Sequence, residues 1–163
     1  MSYIIEALNK EHDRESFDCE EPSLNNFLKN YARQNDVKGL GKTFVAILSG
    51  GQKIYGYYTI SSGSISFDNL PEKMPRYPVP IVHLGRLAID KTVRDKGLGG
   101  LLLLDALRRS LKIADELGVF AVEIYALNEQ VKSFYLKFGF RELNDDPLHL
   151  YLTLKLIRKL NLV

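Results

Sequence analysis

Arg94-Asp95-Lys96-Gly97-Leu98-Gly99 forms an R-x-x-G-x-G run, extended by Gly100. It lies between an apolar stretch (VHLGRLAID, ending at Asp90) and a long periodic one (LLLLDALRRSLKIADEL, ending at Leu117). A strand that feeds glycines into a helix N-terminus gathers unpaired backbone N–H groups at the positive end of the helix dipole. Such a turn suits an anion. Glycine also lets a phosphate approach the backbone and permits positive φ. Glycine-rich turns serve many phosphate ligands, and some only redirect the chain, so the pattern alone leaves both readings open. A second chemical group is Tyr135, in the run Ser133–Phe138. A phenol with an ordinary pKa near 10 stays protonated and can donate a proton, although an aromatic on a short helix more often serves the core.

Other chemistry is disfavoured. His12, His83 and His149 are scattered without metal-ligand spacing. A lone Cys19 builds no disulfide framework and is compatible with a reducing cytosol. The start, MSYIIEALNKEHDRE, lacks the basic head and apolar run of a signal peptide. No apolar run approaches the ~20 residues that span a bilayer. With 163 residues, 45% hydrophobic and 26% charged, the chain is expected to be one domain, residues 1–163, in the cytoplasm and off the membrane. Its charges are unevenly placed. Residues 11–21 carry six acids against Arg14, whereas residues 29–53 carry Lys29, Arg33, Lys38, Lys42 and Lys53 against Asp36. A basic segment can attract a phosphate backbone, or simply be a solvated helix face.

The elements that must position these groups follow from periodicity. Ser2–Leu8 reads as a first strand. Ser23 reads as an N-cap for a helix whose Leu24, Phe27, Leu28, Tyr31 and Ala32 recur at helical spacing, fading by 35–39. Thr43–Leu48 and Ile54–Ser62 read as a hairpin around Ser49–Gln52. Four prolines in Asp68–Pro80 predict an irregular surface loop. The strand from Val82, the helix to Leu117 and a strand over Val119–Leu127 form a βαβ crossover with parallel pairing, and Gly118 suits the helix end. Asn128–Phe138 is a short helix stopped by Gly139. Phe140–Leu143 and Leu148–Leu154 should close a hairpin, with Ile157–Val163 as a tail.

In this order, the chain resembles the GNAT acyltransferase family. Arg94–Gly99 resembles its acetyl-CoA pyrophosphate loop. Asn128, with Ser133-Phe134-Tyr135 and Phe138-Gly139-Phe140, resembles its later N…F-Y…G-F segment. Phe17-Asp18-Cys19-Glu20, Leu24-Asn25, Phe27-Leu28, Thr43-Phe44-Val45, Gly56-Tyr57-Tyr58, Pro80 and Leu84–Asp90 are similar to the GNAT toxins of bacterial toxin–antitoxin modules. Glu20 stands where those toxins commonly have glycine. The resemblance implies an α+β fold, a mostly antiparallel sheet with one parallel, splayed pair at the acetyl-CoA site and flanking helices. It implies acetyl-CoA as acetyl donor without a metal, aminoacyl-tRNA as acceptor, a small ribbon-helix-helix antitoxin and a homodimer. Enzymatic alternatives are a small-molecule amine or a protein N-terminus as acceptor. A non-catalytic CoA-binding regulatory module is the alternative of another class.

On this resemblance the backbone across Arg94–Gly100 holds the pyrophosphate, with Arg94 and Lys96 adding charge and Gly97, Leu98, Gly99 and Gly100 supplying N–H groups. The backbone of Leu87, Ala88 and Ile89 pairs with pantetheine. Phe134 lines the cofactor, and Asn128 either reaches pantetheine or caps its helix. Tyr135 protonates the departing CoA thiolate. Lys29, Arg33, Lys38 and Arg86 are expected to contact tRNA, although Arg86 could instead pair with Glu123. No carboxylate stands on the strand before Asp90. An α-amine, with a pKa of about 7.7–8.0 against ~10.4 for lysine, can react without a strong base. Glu123 or His83 acting through water are the remaining base candidates, and His83 can equally be a packed strand residue.

Overall fold

The computed structural model describes residues 2–162. Its strands are β1 (Tyr3–Ala7), β2 (Lys42–Leu48), β3 (Gly56–Ile65), β4 (Val79–Ile89), β5 (Ala121–Tyr125), β6 (Arg141–Glu142) and β7 (His149–Thr153). The helices are α1 (Pro22–Asn30), α2 (Ala32–Val37), α3 (Leu98–Ala114), α4 (Glu129–Leu136) and α5 (Leu154–Lys159). The sheet runs β1-β2-β3-β4-β5-β7-β6. The β4–β5 pair is parallel, while β1–β2, β2–β3, β5–β7 and β6–β7 are antiparallel. This is the expected mixed α/β sheet with one parallel pair joined through α3.

Two compact units divide the chain. The first comprises the residues up to Ser61 together with Gly85–Ala106. Its core gathers Phe17, Phe27, Leu28, Ala32, Val45, Ile54, Tyr57 and Ala88. The Tyr57 ring meets Phe17 edge-on, and its hydroxyl donates to Leu24 O at 2.8 Å, fixing α1 on the sheet. The expected helix after Glu21 is two pieces. Pro22, whose fixed φ suits the first helical position, starts α1 two residues earlier than a Ser23 cap would. Tyr31, at φ −125°, separates α1 from α2.

The second unit comprises Ser62–Leu84 and the residues from Leu107. Its core holds Ile65, Leu70, Val79, Ile81, Ala121, Leu143 and Tyr151. The proline-rich segment is fastened here, since the Tyr151 hydroxyl donates to Glu72 at 2.5 Å and Asn144 N–H to Asn69 O at 2.8 Å. Contrary to the sequence reading, β4 already contains Pro80. Only its carbonyl is engaged, accepting from Phe120 N–H at 2.9 Å, so the missing donor does no harm. Helix α3 ends at Ala114 rather than Leu117, and Gly118 is not left-handed. Gly139 (φ 98°), just past α4, is. The expected tail begins inside a helix, α5: Thr153 caps it at Leu156 N, and Ile157 is buried. Val163 lies outside the described residues.

Among the described residues no helix is long and apolar enough to cross a membrane, and no cluster of three or more His, Cys, Asp or Glu could hold a metal ion.

Candidate active site

The loop after β4 is built on Asp90, which is 1% exposed. Its Oδ1 accepts from Thr92 N (3.0 Å) and Thr92 Oγ1 (2.7 Å), and its Oδ2 accepts from Asp18 N (3.0 Å). Burial alone would raise its pKa. The hydrogen bonds from Thr92 and Asp18, with Lys53 at 3.7 Å, outweigh burial and hold it below the usual value. Beyond this anchor, Asp95 (φ 63°) and Gly97 (φ 86°) are left-handed, and a Cβ built on Gly97 meets nothing within 4 Å. Leu98, 1% exposed, pins the start of α3. Leu101 N–H donates to Gly97 O at 3.3 Å. By helix geometry, the N–H groups of Leu98, Gly99 and Gly100 therefore precede the intrahelical ladder. Open space, left-handed backbone and free donors at the head of a 17-residue helix fit a pyrophosphate.

One expected charge is occupied. Arg94 Nη1 donates to Glu20 Oε1 at 2.5 Å and Nη2 to Cys19 O at 2.8 Å. Lys96 is exposed and forms no ion pair among the described residues.

The parallel ladder pairs Ile81, Val82 and His83 with Ala121, Val122 and Glu123. Strand β4 continues to Ile89, so Leu87, Ala88 and Ile89 lie past the last paired position, as a pantetheine-binding edge requires.

Asn128, Phe134 and Tyr135 come from α4. Asn128 is its N-cap, with Oδ1 accepting from Val131 N–H at 2.9 Å. Tyr135 is 6% exposed, edge-on to Phe134 (5.1 Å) and Phe140 (5.4 Å). Desolvation pushes its pKa well above 10, so the phenol keeps its proton at cellular pH.

Arg86 does not pair with Glu123. Its guanidinium lies 3.6 Å from the centre of the Phe27 ring, a cation–π contact that fixes it on α1. Lys29 lies in the last turn of α1, Arg33 lies in α2 and Lys38 caps it. None of these three forms an ion pair among the described residues, whereas Lys42 holds Asp36.

Sequence reasoning missed the setting of Glu123, which is 5% exposed on β5. Its carboxylate is shared between His83 Nδ1 and His149 Nε2, the latter at 2.7 Å. His149 Nδ1 reaches Asp145 at 2.9 Å, and its ring stacks on Tyr125 at 3.9 Å. Burial raises the pKa of Glu123, but the two imidazole contacts prevail and hold it below the ordinary value. The signal was present only as alternation. Glu123 and Tyr125 point to one face of β5, and His83 is in register with Glu123.

An acetyltransferase (GNAT) domain model matches residues 39–142, and the chain belongs to this family. The tRNA-acetylating toxin of Mycobacterium tuberculosis (strain ATCC 25618 / H37Rv) is 38% identical over 151 residues, 91% of this chain and 90% of the relative. AtaT complexed with acetyl-methionyl-tRNAfMet superimposes with a TM-score of 0.90 at 29% identity, covering 98% of this chain and 99% of that one. A tyrosine-to-phenylalanine mutant of AtaT, bound to the C-terminus of the antitoxin AtaR and acetyl-CoA, gives 0.84 at 25% identity, covering 97% of each.

Proposed function

We propose that this protein is the toxin of a type II toxin–antitoxin module. It transfers acetyl from acetyl-CoA to the α-amino group of aminoacyl-tRNA and thereby blocks translation. The observation that carries the donor is the opening of α3, where the N–H groups of Leu98, Gly99 and Gly100 follow left-handed Asp95 and Gly97. The acceptor is supported by the likeness to a tRNA-acetylating toxin and to AtaT with its acetylated tRNA.

In this reading the backbone of Gly97–Gly100, with Lys96, binds the pyrophosphate, and Leu87–Ile89 pair with pantetheine. Phe134 lines the arm. Asn128 acts by capping α4, which carries Tyr135. The amine nitrogen attacks the thioester carbonyl, the C–N bond forms and the C–S bond breaks. The phenol proton of Tyr135 goes to the departing sulfur. Neutral α-amine is present at cellular pH, so the one proton its nitrogen sheds passes to water or to the His83–Glu123 pair. An equivalent proton returns from solvent to the Tyr135 phenolate. Lys29, Arg33 and Lys38 contact tRNA phosphates, and Arg86, braced by Phe27, orients the acceptor end.

The protein works as one GNAT domain over residues 1–163, in the cytoplasm and as a homodimer. A small ribbon-helix-helix antitoxin neutralises it. Incubation with labelled acetyl-CoA and either bulk charged tRNA, lysine peptides or polyamines tests the assignment. Label is expected in the charged tRNA alone. Label in a peptide or polyamine instead assigns another acceptor, and CoA binding without transfer assigns a regulatory module.

A further inference from the structure

Glu20 is a charged side chain on backbone that favours none. Its φ of 69° lies in the left-handed region, where glycine sits freely and other residues are strained. Its N–H donates to Asp18 Oδ1 at 2.8 Å. Asp18 is itself tied to the loop after β4, through its N–H to Asp90 Oδ2 (3.0 Å) and its carbonyl from Lys91 N–H (2.8 Å). The backbone at Glu20 is thus fixed relative to that loop. It delivers a carboxylate to Arg94 Nη1, at the first position of the R-x-x-G-x-G run.

The local charge explains what this does. Arg94, Asp95 and Lys96 together carry one net positive charge, and Glu20 cancels it. The Glu20–Arg94 pair is half-exposed on both sides, with side-chain exposures of 57% and 45%. An exposed pair is weak and readily exchanged. A phosphate, with more charge and a matching oxygen fork, is a better partner for guanidinium.

We infer that Glu20 sets the affinity for the acetyl donor: its carboxylate holds Arg94 until the donor's pyrophosphate displaces it. This rests on the acetyl-CoA reading of the loop. Glu20 contacts no reacting atom; it acts through Arg94.

Steady-state kinetics of Glu20→Gln and Glu20→Gly with acetyl-CoA, and calorimetric titration with CoA, provide the test. Both variants should lower the KM for acetyl-CoA and the Kd for CoA by about two- to fivefold, the range expected for releasing an exposed ion pair. The kcat should be unchanged. The gain should vanish in an Arg94→Gln background and with S-acetylpantetheine, which lacks the pyrophosphate. Because Glu20→Gly also relieves the left-handed backbone, Glu20→Gln isolates the charge. An unchanged or raised KM in Glu20→Gln overturns the inference, leaving Glu20 as a brace for the loop. An equal gain with S-acetylpantetheine also overturns it. If the wild-type chain and both variants fail to bind CoA, the acetyl-CoA reading itself falls.

Discussion

Tyr135 combines the two properties needed by an acid that serves a thiolate. It is protonated at any cellular pH, because desolvation pushes its pKa up, and α4 fixes its ring between Phe134 and Phe140. Tyr135→Phe should cut acetyl transfer by about 10²-fold or more while leaving CoA titration unchanged, because only the hydroxyl is lost. Glu123 makes a different prediction. Its folded pKa lies below 4.5, so its stabilising contribution is complete above 4.5 and fades as pH falls through the folded value. Acid-unfolding curves of Glu123→Gln should therefore flatten below pH 4.5 relative to wild type. The place of Tyr135 on a short helix was legible because its motif is local. The Glu123 cluster was not, since its partners lie 40 and 26 residues away and meet only through strand register. Glu20 and Arg94, 74 apart, escaped for the same reason.

At the scale of elements, the glycine turn and α3 act as one device. Left-handed Gly97 turns the chain into α3, and buried Leu98 holds the helix start in place. Gly97→Ala meets no steric obstacle, so its cost is conformational, about 1–2 kcal/mol. Thermal unfolding should shift by a few degrees, and the KM for acetyl-CoA should rise with it. Gly56 in β3 is the steric contrast. A Cβ there would sit 2.8 Å from Leu102 Cδ1 and 3.1 Å from Ala88 O. Gly56→Ala should cost about 1–3 kcal/mol by overpacking against backbone that cannot yield, measurable by denaturant unfolding. The βαβ core was readable from periodicity. Element ends were not. Pro80 joined β4 because only its carbonyl is used, and α5 formed across the end of the expected last strand and the start of the expected tail because Leu154 and Ile157 found buried sites.

For the whole molecule, charge placement and the acceptor belong together. Among the described residues Lys29, Arg33 and Lys38 meet no carboxylate, whereas Lys42, in the same basic segment, is spent on Asp36. Replacing the first three by Gln should weaken tRNA binding and lower the slope of log K against log salt by about 2–3, one phosphate contact for each charge. Lys42→Gln should change the slope little. The fold class, the parallel pair and the glycine turn into α3 were all accessible from the sequence. Lys29, Arg33 and Lys38 were already named from the sequence; that Lys42 is engaged by Asp36 emerged only from the observed ion pair. The central claim concerns one nitrogen atom. Charged tRNA incubated with acetyl-CoA and the protein, then digested to its terminal aminoacyl-adenosine, should show by mass spectrometry one added acetyl group on the amino acid's α-amine. An unmodified aminoacyl-adenosine, or acetyl elsewhere on the RNA, would contradict the account.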